Sequence, residues 1–190
     1  WNTSSNGTGT TFVPGQKTTM QDGGLTLYAV WSAGQFYLAF DSNGATSGNA
    51  PNTYLASSGA TTSLPTNSGA LSIPGYQFVG WNSASDGSGT SYSPGDTFIM
   101  PAKPTLFFAV WSALPQSLTF QATGLSSGSP PTVSSLATGT SFTIPGNTGG
   151  MVKDGYTFNG WNSSSDGTGT TYSVGQIITV PSGGLTFYAQ

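Results

Sequence analysis

The sequence predicts a mainly β protein made of tandem modules of about 80 residues with little helix. A long segment recurs, as GYQFVGWNSASDGSGTSY at 75–92 and GYTFNGWNSSSDGTGTTY at 155–172, and the chain opens with the related run WNTSSNGTGTTF. The tryptophans that mark the three copies, Trp1, Trp81 and Trp161, are spaced by 80 residues without an insertion. A fixed long period indicates repeated structural units.

A second block with strand character follows each copy of that segment. The three blocks are LTLYAVW at 25–31, TLFFAVW at 105–111 and LTFYAQ at 185–190. Apolar residues alternate in them with the period of a half-buried strand, and the face carrying Leu27 and Trp31 is expected to lie inward. Between the blocks Gly recurs and helix-favouring residues are scarce, so any helix is expected to be short.

Each repeat is expected to contain about four or five short strands. The first of them in the complete repeat carries Leu38 and Phe40 on one face. Asn-Gly and Asp-Gly pairs between aromatic residues predict hairpin turns, because Gly and Asn adopt positive φ at low cost. Short strands are predicted around Leu64 and over residues 97–100. A bulge at the glycine before the repeat tryptophan is expected to turn the indole inward.

The period divides the chain into three parts. Residues 1–33 carry the rear half of a repeat, residues 34–113 a complete repeat module and residues 114–190 a nearly complete one. A chain that begins within a repeat is expected to be a piece of a longer protein. An isolated hairpin with much apolar surface is marginal in water. We therefore expect residues 1–33 to pair with the following repeat or with a neighbouring chain.

The composition excludes several classes of partner. Charged residues make up 5% of the chain, against about 25% in typical domains, whereas aromatic residues reach 13%. The cations are Lys17, Lys103 and Lys153 alone, too few for a phosphate-binding stripe, so no nucleic acid partner is expected. No apolar run approaches the length of a membrane span, so no membrane insertion is expected.

The order of motifs resembles a known family. A strand ending in FDSNG is followed by GYQFVGWN, an Asp-Gly turn and TLFFAVW, and this order is similar to the Listeria–Bacteroides repeat, which includes the internalin B-type repeat. The third copy departs from the pattern at Gln121, where the second has Asp41. The resemblance implies a β-grasp fold and tandem repeats on secreted or wall-attached bacterial surface proteins. It also implies spacing, presentation and adhesion rather than catalysis.

Catalytic and metal-binding chemistry find little support in the residues. The chain has no His and no Cys, and its six acidic residues are all aspartates, so no nucleophile–base pair can be assembled and no enzyme is expected. The turns at Asp86 and Asp166 offer one carboxylate each, whereas a firm calcium site needs several. We therefore interpret these aspartates as turn-forming residues rather than metal ligands, and no cofactor is expected.

The tryptophans have two interpretations. They could form a sugar-stacking platform, but a small β module must bury large side chains to be stable, so core packing is preferred. The residues expected in the core are Trp81, Trp111, Trp161, Tyr76, Phe78, Tyr156, Phe158, Leu27, Trp31, Phe107 and Phe187. The sequons at Asn2, Asn6 and Asn162 are possible glycosylation sites, and the Ser/Thr-rich loops could equally carry O-glycans.

These observations favour a structural role. We expect a stalk, spacer or filament subunit of an extracellular microbial surface protein, at the cell surface or attached to the cell wall. Its expected partners are neighbouring repeats or like subunits, head to tail, because nearly uncharged surfaces repel one another little. The alternative is an adhesin module that binds glycan or a host surface protein.

Overall fold

The computed structural model describes residues 1–190 and contains strands but no helix. The prediction of a mainly β fold is confirmed. The β-grasp description remains an expectation from the resemblance, and the structure contains no helix that would correspond to the one in that fold. Residues 34–113 are called module one, and residues 114–190 are called module two.

The strands of module one form a five-stranded sheet and a two-stranded sheet. Its strands are β1 (Gln35–Asp41), β2 (Tyr54–Ser57), β3 (Thr61–Ser63), β4 (Tyr76–Asn82), β5 (Ser91–Tyr92), β6 (Thr97–Ile99) and β7 (Thr105–Ala113). The large sheet has the order β2-β1-β7-β4-β5, and β3 pairs with β6 in the small one. In the large sheet the pair β1–β7 is parallel and every other pair is antiparallel.

A single core cluster fills module one. Alternate residues of β1 and β7 point into it, since each strand of the large sheet buries one face. The small sheet contributes Phe98, whose ring centroid lies 5.0 Å from that of Phe107. The buried members are Leu38, Phe40, Leu64, Leu71, Trp81, Met100, Phe107 and Ala109.

The predicted bulge is present in β4. Its pairing with β7 shifts register between Phe78 and Gly80, and Gly80 has a φ of 152°. A Cβ at this position would collide with the carbonyl oxygen of Tyr92, so only glycine fits. The bulge restores the inward direction for Trp81, which is 0% exposed.

Module two repeats this arrangement, but the counterpart of β1 is divided into two strands and the counterpart of β4 is shorter. Its strands are β8 (Pro115–Gln116), β9 (Leu118–Gln121), β10 (Leu136–Ala137), β11 (Ser141–Thr143), β12 (Trp161–Asn162), β13 (Thr171–Tyr172), β14 (Ile177–Thr179) and β15 (Leu185–Ala189). Its sheets have the orders β13-β12-β15-β9, β10-β8 and β11-β14. As β1 and β7 do in module one, β9 and β15 form a parallel pair. A second core cluster contains Leu118, Phe120, Ile144, Met151, Trp161, Val180 and Phe187.

Residues 1–33 keep only fragments of the repeat. Isolated bridges join Asn2 to Thr11 and to Tyr28, which correspond to the pairings of β12 with β13 and β15 in module two. All backbone hydrogen bonds of this segment stay within it. The expected strand pairing with the following repeat is therefore wrong, whereas pairing with a neighbouring chain stays a prediction.

Two residues expected in the core lie at the surface instead. Trp31 is 89% exposed and Tyr156 is 73% exposed. Their counterparts in module one are covered by neighbours: Trp111 packs edge-on against Phe78, and Tyr76 pairs with the end of β7. Among the described residues, neither Trp31 nor Tyr156 has the corresponding partner, so the periodicity places them correctly along the repeat but not inside a core.

The other residues expected in the core are buried or partly buried. Trp81, Trp161, Phe107 and Phe187 are fully buried. Phe78 and Trp111 are partly buried and pack against the first cluster, and Phe158 packs in the same way against the second. Leu27 and Tyr76 are partly buried but belong to neither cluster.

Candidate functional site

A buried asparagine organises the Asp-Gly turn of every repeat. Asn82 follows the repeat tryptophan and is 1% exposed. Its Nδ2 donates to the carbonyl oxygens of Gly87 at 3.1 Å and Gly89 at 3.2 Å and to Ser91 Oγ at 2.8 Å. Its Oδ1 accepts from the N–H of Ala84 at 2.8 Å and of Gly89 at 3.1 Å. The buried amide is therefore fully paired, and most of its partners are backbone groups of the turn.

The same geometry recurs at Asn2 and Asn162, each 1% exposed. Sequence reasoning treated these two positions as sequons and missed their structural role. The signal was present in the repeated Trp-Asn pair that opens each copy. In the folded protein the Nδ2 atoms of both residues face three acceptors within 3.2 Å. Both side chains are thus enclosed in the folded protein, whereas Asn6 is exposed, and glycosylation at the three sequons stays a prediction.

The aspartates of the turns are hydrogen-bond acceptors. Oδ1 of Asp166 accepts from Ser164 Oγ at 2.6 Å, Thr168 Oγ1 at 2.7 Å and the Thr168 N–H at 3.0 Å. The Ser164 hydroxyl and then the Thr168 groups lower the pKa of Asp166 to about 2. The hydroxyl and N–H of Ser88 lower the pKa of Asp86 in the same way. No group of three or more His, Cys, Asp or Glu side chains is placed to hold a metal ion.

One cleft of module two corresponds to a packing position of the repeat. It encloses about 280 Å³ between Phe158 and the loop that begins at Ala122. In module one the indole of Trp111 fills the equivalent space, where its Nε1 donates to the carbonyl oxygens of Ser42 at 3.3 Å and Asn43 at 3.1 Å. The cleft therefore corresponds to the position that the Trp111 indole occupies in module one.

Comparison with known proteins agrees with this repeat structure. A family model described as the Listeria-Bacteroides repeat domain matches residues 36–110 and 117–190. The chain belongs to this family. The two Listeria-Bacteroides repeats thus coincide with the two core clusters, and the resemblance seen in the motifs is confirmed.

Relatives of this repeat chain come from Evansella cellulosilytica. A protein named "Putative Gly-rich membrane protein" is 35% identical over 187 residues, which cover 92% of this chain and 21% of that protein. Another, named "Putative membrane protein", is 40% identical over 91 residues, covering 47% of this chain and 13% of the relative. The chain therefore spans about a fifth or less of these relatives. No solved structure matches it, and it contains no helix that could cross a membrane.

The two repeats join without a separate linker. β7 ends at Ala113, β8 occupies Pro115–Gln116 and β9 begins at Leu118. Single residues, Leu114 and Ser117, separate these strands. The last strand of module one therefore runs directly into the first strands of module two.

Leu114 is bonded to both modules at once. Its N–H donates to the carbonyl oxygen of Gly75 in module one at 2.7 Å, and its carbonyl oxygen accepts from the Thr138 N–H of module two at 3.0 Å. Gly75 also packs closely against module two. A Cβ there would lie 2.5 Å from Thr138 Oγ1 and 2.8 Å from the Ser182 Cβ. The junction is thus a packed and hydrogen-bonded contact that fixes one repeat against the next.

Proposed function

We propose that this chain is a structural segment, a stalk or spacer, of an extracellular surface protein. The observation that carries the proposal is the junction at Leu114, where one residue is hydrogen-bonded to both repeats. Flexible linkers let neighbouring domains reorient. A junction with no free linker and with backbone hydrogen bonds on both sides instead holds the repeats at a set spacing, which is what a spacer requires.

The location and partners follow from the family and the composition. Relatives named as membrane proteins contain similar repeats within much longer chains, which supports placement at the cell surface or the cell wall. Like repeats, head to tail, are the proposed partners, because a chain with 5% charged residues offers little repulsion between modules. The proposal assigns the chain no catalytic role and no cofactor.

The junction can be tested with a pair of matched variants. Gly75 and Gly155 have φ values of 80° and 79°, so replacing either by alanine costs the same backbone strain, about 1–2 kcal/mol. Only the Cβ at position 75 meets the neighbouring repeat, since position 155 has open space. Gly75→Ala is therefore expected to loosen the junction, and Gly155→Ala is the control.

Small-angle X-ray scattering provides the measurement. The unmodified chain and Gly155→Ala should scatter as one particle of fixed length, and Gly75→Ala should show a broader distribution of distances. Protease cleavage near Leu114 should also accelerate in Gly75→Ala alone. Scattering that already shows freely reorienting repeats in the unmodified chain would contradict the proposal.

A second candidate, a ligand-binding module, is favoured by the outer face of module one. Tyr37, Leu55 and Leu106 are 58%, 50% and 43% exposed and share that face through the pairing of β1 with β2 and β7. Their counterparts in module two are polar: Ser117, Ser135 and Thr186. Exposed apolar patches mark interaction surfaces.

A glycan array and a panel of host surface proteins would test this candidate. Saturable binding that disappears when the three apolar residues are replaced by the module-two residues would support a binder. The expected result for a spacer is no saturable binding by either chain.

A further inference from the structure

We infer that each repeat forms a shear clamp against force along the chain, an inference that rests on the proposed spacer function. The clamp consists of two parallel neighbouring strands, β1 and β7 in module one and β9 and β15 in module two. In module one the pairing runs from Leu38 opposite Thr105 to Asp41 opposite Phe108. Module two has the same parallel pairing over the same number of residues.

The direction of the two strands decides how they bear load. Force enters module one at Gln35, the start of β1, and leaves at Ala113, the end of β7. Because β1 and β7 are parallel, these two points lie at opposite ends of the pair, so tension slides the strands past one another. The evenly spaced bonds of a parallel ladder are then loaded together. If the two points lay at the same end, the bonds would break one after another.

Buried side chains oppose that sliding. Leu38 and Phe40 of β1 and Phe107 and Ala109 of β7 all lie within the module-one core. A slip by one residue would move each set to the opposite face of the sheet, exposing apolar surface. Relative movement of the two strands therefore has to disrupt the core at the same time as the ladder.

Two side-chain hydrogen-bond donors tie the end of β1 to β7 in module one. Nδ2 of Asn43 donates to the carbonyl oxygen of Ala109 at 2.9 Å and to that of Ser85 at 2.9 Å. Trp111 Nε1 donates in the reverse direction, to the carbonyl oxygens of Ser42 and Asn43. These bonds cross from the segment after β1 to β7, so they extend the clamp beyond the backbone ladder.

Single-molecule force measurement in two pulling directions tests the clamp. The chain has no cysteine, so pulling handles can be attached specifically to cysteines introduced at chosen positions. Gln35→Cys with Ser112→Cys pulls the strands in shear, and Ser42→Cys with Ser112→Cys peels them from one end. Both variants should melt at the same temperature as the unmodified chain. At equal pulling speed, the mean unfolding force should be several-fold higher in the shear geometry, since forced unfolding reports the barrier along the pulled direction.

A side-chain variant tests the contribution of Asn43 separately. Asn43 and Ala70 are the two non-glycine residues with positive φ, at 46° and 53°, so glycine is compatible with the backbone at either position. Asn43→Gly removes the bonds to Ala109 and Ser85 and should lower the shear unfolding force. Ala70→Gly lies away from the clamp and should leave the force unchanged.

Two results would overturn the inference. One is equal unfolding forces in the two pulling directions, and the other is a shear force that responds equally to Asn43→Gly and Ala70→Gly. Either result would leave the spacer function standing, because that function is tested by the scattering of Gly75→Ala. A third combination would separate the two proposals in the other direction. Repeats that reorient freely in the unmodified chain, together with a higher unfolding force in shear than in peeling, would contradict the spacer function and support the clamp.

Discussion

The indole nitrogen of Trp81 donates a 2.8 Å hydrogen bond to the carbonyl oxygen of Pro65. Trp161 makes the same bond with Pro145, also at 2.8 Å. In both repeats the indole thus binds the loop that follows the small-sheet strand, while its ring packs within the core. The tryptophan satisfies a buried donor and closes the core with one side chain.

Replacing Trp81 by phenylalanine should separate these two contributions. Trp81→Phe keeps an aromatic ring but leaves the Pro65 carbonyl oxygen without its donor, and we expect a loss of about 1–3 kcal/mol in the free energy of unfolding. Trp81→Ala also opens a cavity and should cost about 3–5 kcal/mol. Urea unfolding followed by circular dichroism measures both. Trp31→Phe is the control, with a change within about 0.5 kcal/mol because Trp31 is exposed. Equal losses at positions 31 and 81 would contradict the assignment.

Asn82 should be as important to stability as a core residue. Asn82→Ala removes the acceptor and the donors that hold the Asp-Gly turn, so that the hydrogen bonds to Ala84, Gly87, Gly89 and Ser91 are all lost. We expect a loss of about 2–4 kcal/mol in the free energy of unfolding, because each intramolecular hydrogen bond contributes about 0.5–1.5 kcal/mol. Hydrogen exchange should show the loss of protection at the N–H groups of Ala84 and Gly89, which bond to Asn82. Asn52, an exposed residue shortly before β2, is the control, and its replacement by alanine should leave both measurements unchanged.

The period and the alternation predicted much of this fold. The spacing of Trp1, Trp81 and Trp161 identified the repeats, and the glycine before the tryptophan located the bulge. Both features can be read from the order of residues along the chain. Burial depends on more distant partners. Trp31 and Trp111 lie in the same run, AVWSA. Trp31 is nevertheless exposed, because no residue covers it as Phe78 covers Trp111.

The candidate site was less predictable than the fold. An Asn-x-Ser/Thr sequon is read over three residues, whereas the burial of Asn162 depends on carbonyl oxygens up to seven residues away. The contacts at the junction could not be predicted from the motifs either, because Gly75 approaches Thr138 and Ser182 only after both repeats have folded. A repeat period gives the spacing of modules along the chain but not the contacts between them.

Calcium chelation is expected to leave the melting temperature unchanged. Each turn supplies one carboxylate, and Oδ1 of Asp86 already accepts from the hydroxyl and the N–H of Ser88 at 2.6 and 3.0 Å. A firm calcium site needs several oxygen ligands. Thermal unfolding with EDTA and with added calcium would test this, and magnesium serves as the control cation. A melting temperature that falls by several degrees in EDTA would show that the turns bind metal.

The stability of the chain should fall on acidification through its turn aspartates. The pKa of Asp166 is about 2 in the folded protein, below the value of about 3.9 for an unfolded aspartate. A carboxyl with a depressed folded pKa stabilises the fold fully above the unfolded pKa, and this contribution is lost as the pH falls towards the folded pKa. The loss should therefore occur between about pH 4 and pH 2, and urea unfolding across that range measures it. Asp166→Asn should make the decline shallower without disrupting the turn, because Asn6 accepts the equivalent bonds from Ser4 and Thr8 in the first copy. An unchanged pH dependence in Asp166→Asn would show that this carboxylate does not contribute.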